Sequence, residues 1–322
     1  MIYLTEADIL AAAVFDDIID AMETAMSVYE TKAFNMPQRL HVDNGSNTLL
    51  LMPCFIQDYF ATKLVTLFPT NPAKGIPMLN GIVVLNNGKT GLPVAILDGR
   101  VLTALRTAAV SSVSIRHLTA EDIFSVGIVG AGFQGFYHAW VACSIRNLTD
   151  IIIFDSNPEK TAVLIEKLSD VVPHVKFHAA ACIEDLLEKS QVVVTATTSQ
   201  KPVLPERADL LIGKHFVAIG SYQPNVRELP RALFNLLQRV FIDTTDALEE
   251  SGDLIVPLQN RWIDREQIMT LGSFLARNRK RESVKHETTL FKSVGMALFD
   301  VYASKIVYES AVQKGLGQKI VL

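Results

Sequence analysis

A chain of 322 residues with a formal charge of −4, 30 Lys and Arg against 34 Asp and Glu, has length enough for two domains and no long basic run to follow a nucleic-acid backbone. Hydrophobic residues make up 49%, ample for sizeable cores, yet no uninterrupted apolar stretch reaches membrane-spanning length. Cys54, Cys143 and Cys182 are too scattered for a disulfide framework or a Cys-x-x-Cys metal site, and Glu6 and Asp8 make the start unlike a signal peptide, so a reducing cytoplasm is the expected location.

Residues 4–34 are expected to form an amphipathic helix that opens on a Thr5-Glu6-Ala7-Asp8 cap and carries Ile18, Ile19, Met22 and Met26 on one face. From Pro37 to Asp98 the texture changes to short β-prone runs: 49–52, 62–66, 81–85 and 93–97. Asn86-Asn87-Gly88 and Thr90-Gly91 supply hairpin chemistry between the last two, and a mixed or antiparallel sheet of about four to six strands is expected.

Two cations in this region stand in apolar surroundings. Lys63 is flanked by Leu64, Val65 and Leu67, and Arg106 opens a run of small and apolar residues through Val110. A charge so placed must be paired or must bind something. Arg39, in Pro37-Gln38-Arg39-Leu40-His41, is a third candidate, with a surface side chain as the alternative.

The centre of the chain is Phe124 to Gly135, where a β-rich apolar run enters Gly130-Ala131-Gly132-Phe133-Gln134-Gly135 and continues as a helix to Ile145. Strand, Gly-x-Gly-x-x-Gly and helix in that order predict a dinucleotide site: a tight turn at Gly130, backbone close to a pyrophosphate at Gly132, and helix packed on strand at Gly135. The next strand, 150–154, ends at Asp155, whose carboxylate suits the adenosine ribose hydroxyls and repels a 2′-phosphate. Ser156-Asn157-Pro158 brings no cation to pair such a phosphate, so NAD(H) is favoured and NADP(H) remains possible. A helix cap ahead of Pro158 is the competing role for Asp155.

The β/α rhythm then continues through strands at 175–178, 191–196, 215–219 and 239–243, with a helix at 183–189. Alternation of this kind implies a doubly wound parallel sheet, whose carboxyl ends would carry Thr197, Gly220, Ser221 and Tyr222 toward the cofactor. Glu249 to Asp253 is expected to be a loop near the active site, and Arg277 to Arg281 a solvated basic cluster. Gly295 to Lys314 is a long amphipathic helix with no sheet left to join, so it should return to the first domain. Lys292-Ser293-Val294-Gly295 is the hinge, with amides that can meet a phosphate or a nicotinamide amide. The seven histidines have no ligand spacing, and no metal is expected.

Lys63-Leu64-Val65-Thr66, Asn71-Pro72-x-Lys74-Gly75-x-Pro77, Ala104-Leu105-Arg106-Thr107-Ala108-Ala109, Gly130-Ala131-Gly132-x-Gln134, Arg227-Glu228-Leu229 and Phe291-Lys292-Ser293-Val294-Gly295 fall in one order. In that order they resemble the ornithine cyclodeaminase and μ-crystallin family over nearly the whole chain. The resemblance implies an α/β protein: a Rossmann domain at 116–295 and a smaller α+β domain, 1–115 with 296–322, for substrate binding and homodimerisation. It implies chemistry on a small α-imino or α-amino acid, with Arg39, Lys63 and Arg106 holding the substrate carboxylate. Cofactor contacts are expected from Thr107, Gly130, Ala131, Gly132, Phe133, Gln134, Asp155, Thr197, Gly220, Ser221, Ser293 and Gly295.

Within the family this chain departs from cyclodeaminases and alanine dehydrogenases, having Tyr222 where those have an aspartate. It has Leu50 or Leu51 where cyclodeaminases carry a glutamate before Met-Pro, and Phe291-Lys292-Ser293 where they read Phe-Asp-Ser. Those differences resemble the ketimine and Δ1-pyrroline-2-carboxylate reductases. Ornithine cyclisation needs a base for the δ-ammonium, which a tyrosine with an ordinary pKa near 10 does not supply. Reduction of a cyclic ketimine needs a carboxylate clamp, a proton and a hydride, with Lys63 or Tyr222 as proton donor. Cyclodeaminase or alanine dehydrogenase activity, or ligand binding with little turnover as in μ-crystallin, are the alternatives.

Overall fold

The computed structural model describes residues 1–221, 223–277, 284 and 287–321. In chain order the elements are β1 (Ile2–Leu4), α1 (Glu6–Ala12), α2 (Phe15–Thr31), β2 (Leu40–Asn44), β3 (Asn47–Phe55), β4 (Tyr59–Leu67), β5 (Leu79–Asn87), β6 (Pro93–Asp98) and α3 (Gly99–Leu118). Then come β7 (Ser125–Val129), α4 (Phe133–Ile145), β8 (Asp150–Phe154), α5 (Pro158–Val171), β9 (Lys176–Ala179), α6 (Ile183–Lys189), β10 (Val192–Thr195), α7 (Ala208–Leu211) and β11 (His215–Ala218). The rest are α8 (Arg231–Phe234), β12 (Val240–Ile242), α9 (Ala247–Glu250), α10 (Gly252–Gln259), β13 (Ile268–Thr270), α11 (Leu271–Ala276), β14 (Thr289–Lys292), α12 (Ala297–Lys314) and β15 (Gln318–Lys319). The chain divides into two compact units, Met1–Arg106 with Met296–Leu322, and Thr107–Gly295. The first boundary thus falls inside α3 rather than near its end.

The first unit holds a seven-stranded sheet in the order β15-β1-β6-β5-β4-β3-β2. It is larger than the sequence suggests because β1, β2 and β15 are too short or too polar to stand out, and backbone pairing alone fixes them: Tyr3 pairs with Gln318 on one side and Ile96 on the other. The single N-terminal helix is also corrected. Leu4 ends a strand, Thr5 and Asp8 form a reciprocal capping box for α1, and extended backbone at Ala13 and Val14 separates it from α2, where Asp16 and Asp17 suit a new helix start. Ile18, Ile19, Met22 and Met26 of α2 are buried, and α12 packs against α2 and against β3, β4 and β5. Each such fully buried side chain contributes about 1.5–3 kcal/mol of hydrophobic stabilisation.

The second unit holds an eight-stranded, wholly parallel sheet in the order β13-β12-β14-β11-β10-β7-β8-β9. From the β9 edge inward the strands run third, second, first, fourth, fifth in sequence, so the order reverses between β7 and β10, the switch point at which such sheets bind dinucleotides. Burial on both faces explains the continuous apolar strands: every residue of β7, β10, β11 and β12 is buried. Among the described residues no helix is long and apolar enough to cross a membrane, and no cluster of three or more His, Cys, Asp or Glu could hold a metal.

Two buried histidines tie the start of this unit together. His138 Nδ1 donates to the Gln134 carbonyl at 2.8 Å and its Nε2 lies 2.9 Å from Ser111 Oγ; His215 Nε2 and Nδ1 lie 3.0 Å from Ser114 Oγ and 2.8 Å from Thr289 Oγ1. Burial pulls His138 down to about 4 and His215 to about 3 from an ordinary 6.5. Both rings stay neutral in the folded chain at pH values where the unfolded chain already binds protons. Stability is therefore present above pH 6.5 and is lost as pH falls toward about 4. Thermal melts should show the midpoint falling over that window, each histidine contributing about 1.4 kcal/mol per pH unit, with a shallower fall in His215→Asn. A midpoint independent of pH there contradicts the assignment.

Candidate active site

The cations that the sequence marks in the first unit converge on one carboxylate. Strand β4 alternates, so Ala61, Lys63 and Val65 face inward, and Lys63 is 3% exposed. Arg106, the eighth residue of α3, is also buried. Asp300, in the first turn of α12, lies between them: Lys63 Nζ is 2.8 Å from Oδ2, and Arg106 Nε donates to Oδ1 at 2.9 Å. Arg39 is half-buried in the irregular segment before β2, near enough for its charge to act on Lys63.

Burial is the main reason the Lys63 ammonium falls to about 8; Asp300 opposes the fall, and Arg106 and Arg39 add to it. Burial would raise Asp300, but Lys63 and Arg106 outweigh it and hold the carboxyl below its ordinary range. With Asp300 ionised and Lys63 and Arg106 charged, the cluster keeps an excess of positive charge in a buried place. That excess calls for a further anion. Sequence reasoning missed Asp300, although the rule that found Lys63 applies to it: it is an acid among Leu298, Phe299 and Val301.

The glycine loop lies in the second unit. Gly130 has φ +109°, and a Cβ there would meet the Ala196 carbonyl oxygen at 2.6 Å; a Cβ on Gly135 would meet the Gly130 carbonyl oxygen at 2.1 Å. Gly132 caps α4 and has no neighbour within 4 Å of its Cβ position, leaving space at the helix start. Asp155 Oδ2 accepts from the Ala131 amide at 2.8 Å and Oδ1 from the Asn157 amide at 2.9 Å, so it braces the loop as well as ending β8; the capping oxygen for α5 comes from Asn157 instead. Gln134 Oε1 is buried with no hydrogen-bond partner among the described residues, and Phe133 is partly exposed. These features fit a dinucleotide: open backbone for phosphates, a carboxylate at the second strand and an unsatisfied acceptor beside the loop.

Other expected cofactor residues are engaged within the protein. Glu228 collects Thr195 Oγ1, the Thr197 amide and hydroxyl, and the Gly220 amide at 2.7–3.0 Å. Ser221 is fully buried, its hydroxyl donating to the Val226 carbonyl and lying 3.0 Å from Ser251 Oγ. The hinge donors expected to meet a cofactor go to Asp243: Ser293 Oγ and the Gly295 amide each lie 2.7 Å from its Oδ2, because Asp243 ends the neighbouring strand. Thr107 is buried, its carbonyl accepting from Ser111. Residues 249–253 are not one loop: Glu249 and Glu250 end α9, the extended Ser251 caps α10 with its hydroxyl, and Gly252 and Asp253 open α10, Asp253 fully buried. Tyr222 and residues 278–281 of the basic cluster lie outside the described residues.

Residues 1–315 match the model of the ornithine cyclodeaminase/mu-crystallin family. The chain belongs to that family. It is 32% identical to a Δ1-pyrroline-2-carboxylate reductase of Bacillus cereus, over 86% of this chain and 86% of that one. Its structure is similar to that of Thermococcus litoralis Δ1-pyrroline-2-carboxylate reductase in complex with NADH and L-proline, with TM-score 0.92, 30% identity, and 99% and 100% of the two chains covered. It is also similar to an archaeal alanine dehydrogenase dimer with bound NAD, with TM-score 0.89, 25% identity, and 100% and 99% covered.

Proposed function

We propose that this family member is an NAD(P)H-dependent oxidoreductase that reduces cyclic α-imino acids, Δ1-pyrroline-2-carboxylate or Δ1-piperideine-2-carboxylate, to proline or pipecolate. The observation that carries the reading is the buried Lys63–Asp300–Arg106 cluster with its unbalanced positive charge. A substrate carboxylate is the anion that completes it, held by Arg106 and Arg39. An ammonium has three donors and Asp300 takes one, so Lys63 can also reach a substrate and deliver a proton to the imine nitrogen. At about 8, its pKa leaves it protonated at neutral pH yet ready to give that proton up. Bound NAD(P)H supplies the hydride for the imine carbon. Gly130, Ala131 and Gly132 would hold the pyrophosphate and Asp155 the adenosine ribose. With cofactor carrying deuterium at both C4 positions of the dihydronicotinamide, the label should appear at C2 of the proline formed; label-free proline overturns the reading.

Asp155 supports a preference for NAD(H), and Asp155→Ser should show it. Losing a charge-assisted bond of about 1.5–3 kcal/mol weakens NADH about 10- to 100-fold and narrows discrimination against NADPH. Unchanged affinities for both cofactors contradict that role. Homodimerisation is supported by the outer face of the first sheet, where the registered row Leu51, Leu64 and Ile82 leaves Leu64 and Ile82 37% and 38% exposed.

A further inference from the structure

We infer that Lys292 is a redox-state specificity residue, its buried ammonium lowering the affinity of the dinucleotide domain for the positively charged oxidised nicotinamide relative to the neutral reduced ring. This rests on the nicotinamide-cofactor part of the reading above. Position 292 is one that the sequence singled out, and the clamp chemistry leaves it unused. Lys292 ends β14 and is fully buried together with Asp253 and Glu228. Its Nζ lies 3.5 Å from Asp253 Oδ2 and makes no hydrogen bond among the described residues. An ammonium buried without a hydrogen bond is held at a cost in stability, so its presence points to a role for the charge.

The fold says where that charge acts. Phosphates belong at the glycine loop after β7 and the adenosine ribose at the end of β8, so the nicotinamide half falls on the other side of the switch point, over the carboxyl ends of β10, β11 and β14. Glu228 lies directly beneath the segments that leave two of those strands, binding Thr197 and Gly220. Asp253 Oδ1 in turn accepts the amides of Glu228 and Leu229 at 2.9 and 3.0 Å. Burial pushes the Glu228 carboxyl up, while the Lys292 charge and the Thr197 amide and hydroxyl favour its ionised form. Two carboxylates under a nicotinium ring favour the oxidised cofactor; the Lys292 charge offsets one of them.

The test is the ratio of dissociation constants for NAD+ and NADH, measured by calorimetry or fluorescence without substrate, so a failed reductase assay leaves it standing. Lys292→Met should shift the ratio toward NAD+ by about tenfold, the effect of one unit charge across a short distance in protein. Asp253→Asn keeps an oxygen for the two backbone amides and should shift it the opposite way. If Lys292→Met fails to fold, Lys292→Gln, which also removes the charge but keeps a polar end beside Asp253, decides the matter by the same shift toward NAD+. A ratio that stays fixed in the folded variants, or two constants that weaken by the same factor, assigns Lys292 a packing role and overturns the inference.

Discussion

Lys63→Met should reduce turnover of a cyclic ketimine by about 10²- to 10⁴-fold, the range for removing a positioned general acid, while NADH binding stays intact. Methionine keeps the length and apolar stem of the side chain, so β4 and its packing are preserved. What disappears is the one buried group that both belongs to the cation cluster and titrates near neutrality. The glycine loop and Asp155 lie in the other unit and depend on contacts that Lys63 does not make. In the wild-type protein kcat/KM should fall as pH rises through about 8, because the donor must be protonated; in Lys63→Met that limb should be absent. Loss of turnover and cofactor binding together, or of neither, counts against the role.

Asp300→Asn should be the most destabilising single change in the first unit. It leaves Lys63 and Arg106 buried without their shared counter-charge, for which the expected cost is about 3–5 kcal/mol, or roughly 5–20 °C in thermal midpoint. The same substitution has a second signature. Asp300 is what holds the Lys63 pKa up against burial and the two guanidiniums, so removing it moves the alkaline limb of kcat/KM to lower pH. A carboxylate ligand such as proline should restore part of the lost stability, since it supplies the missing anion. An unchanged midpoint with an unchanged pH limb contradicts the account of the cluster.

How much of this could be read from the sequence depends on the kind of signal. The parallel sheet was legible because its strands are buried on both faces and appear as runs such as Val192 to Thr195. Lys63 and Arg106 were legible because a charge among apolar neighbours is conspicuous. Asp300 obeyed the same rule but sits in a helix that the hydrophobic period alone seemed to explain, and its two partners, Lys63 and Arg106, come from far earlier in the sequence, Arg106 by 194 residues and Lys63 by more. The hinge amides show a different limit of the sequence. A run of free donors at a helix start suggests an anion site, yet Asp243 from the adjacent parallel strand occupies them, and register between strands is invisible in a single sequence. Strands β1 and β15 were missed for a related reason: two or three residues carry no period, and only their partners define them.

The most direct measurement is the absorbance of NADH and of NADPH during incubation with Δ1-pyrroline-2-carboxylate and Δ1-piperideine-2-carboxylate, with ornithine and alanine under NAD+ as controls. Rapid oxidation of reduced cofactor with at least one cyclic imine, and no ammonia from ornithine or alanine, is the result predicted here. Ammonia release from either amino acid without turnover of the imines, or tight cofactor binding with no oxidation by any ketimine, would contradict it.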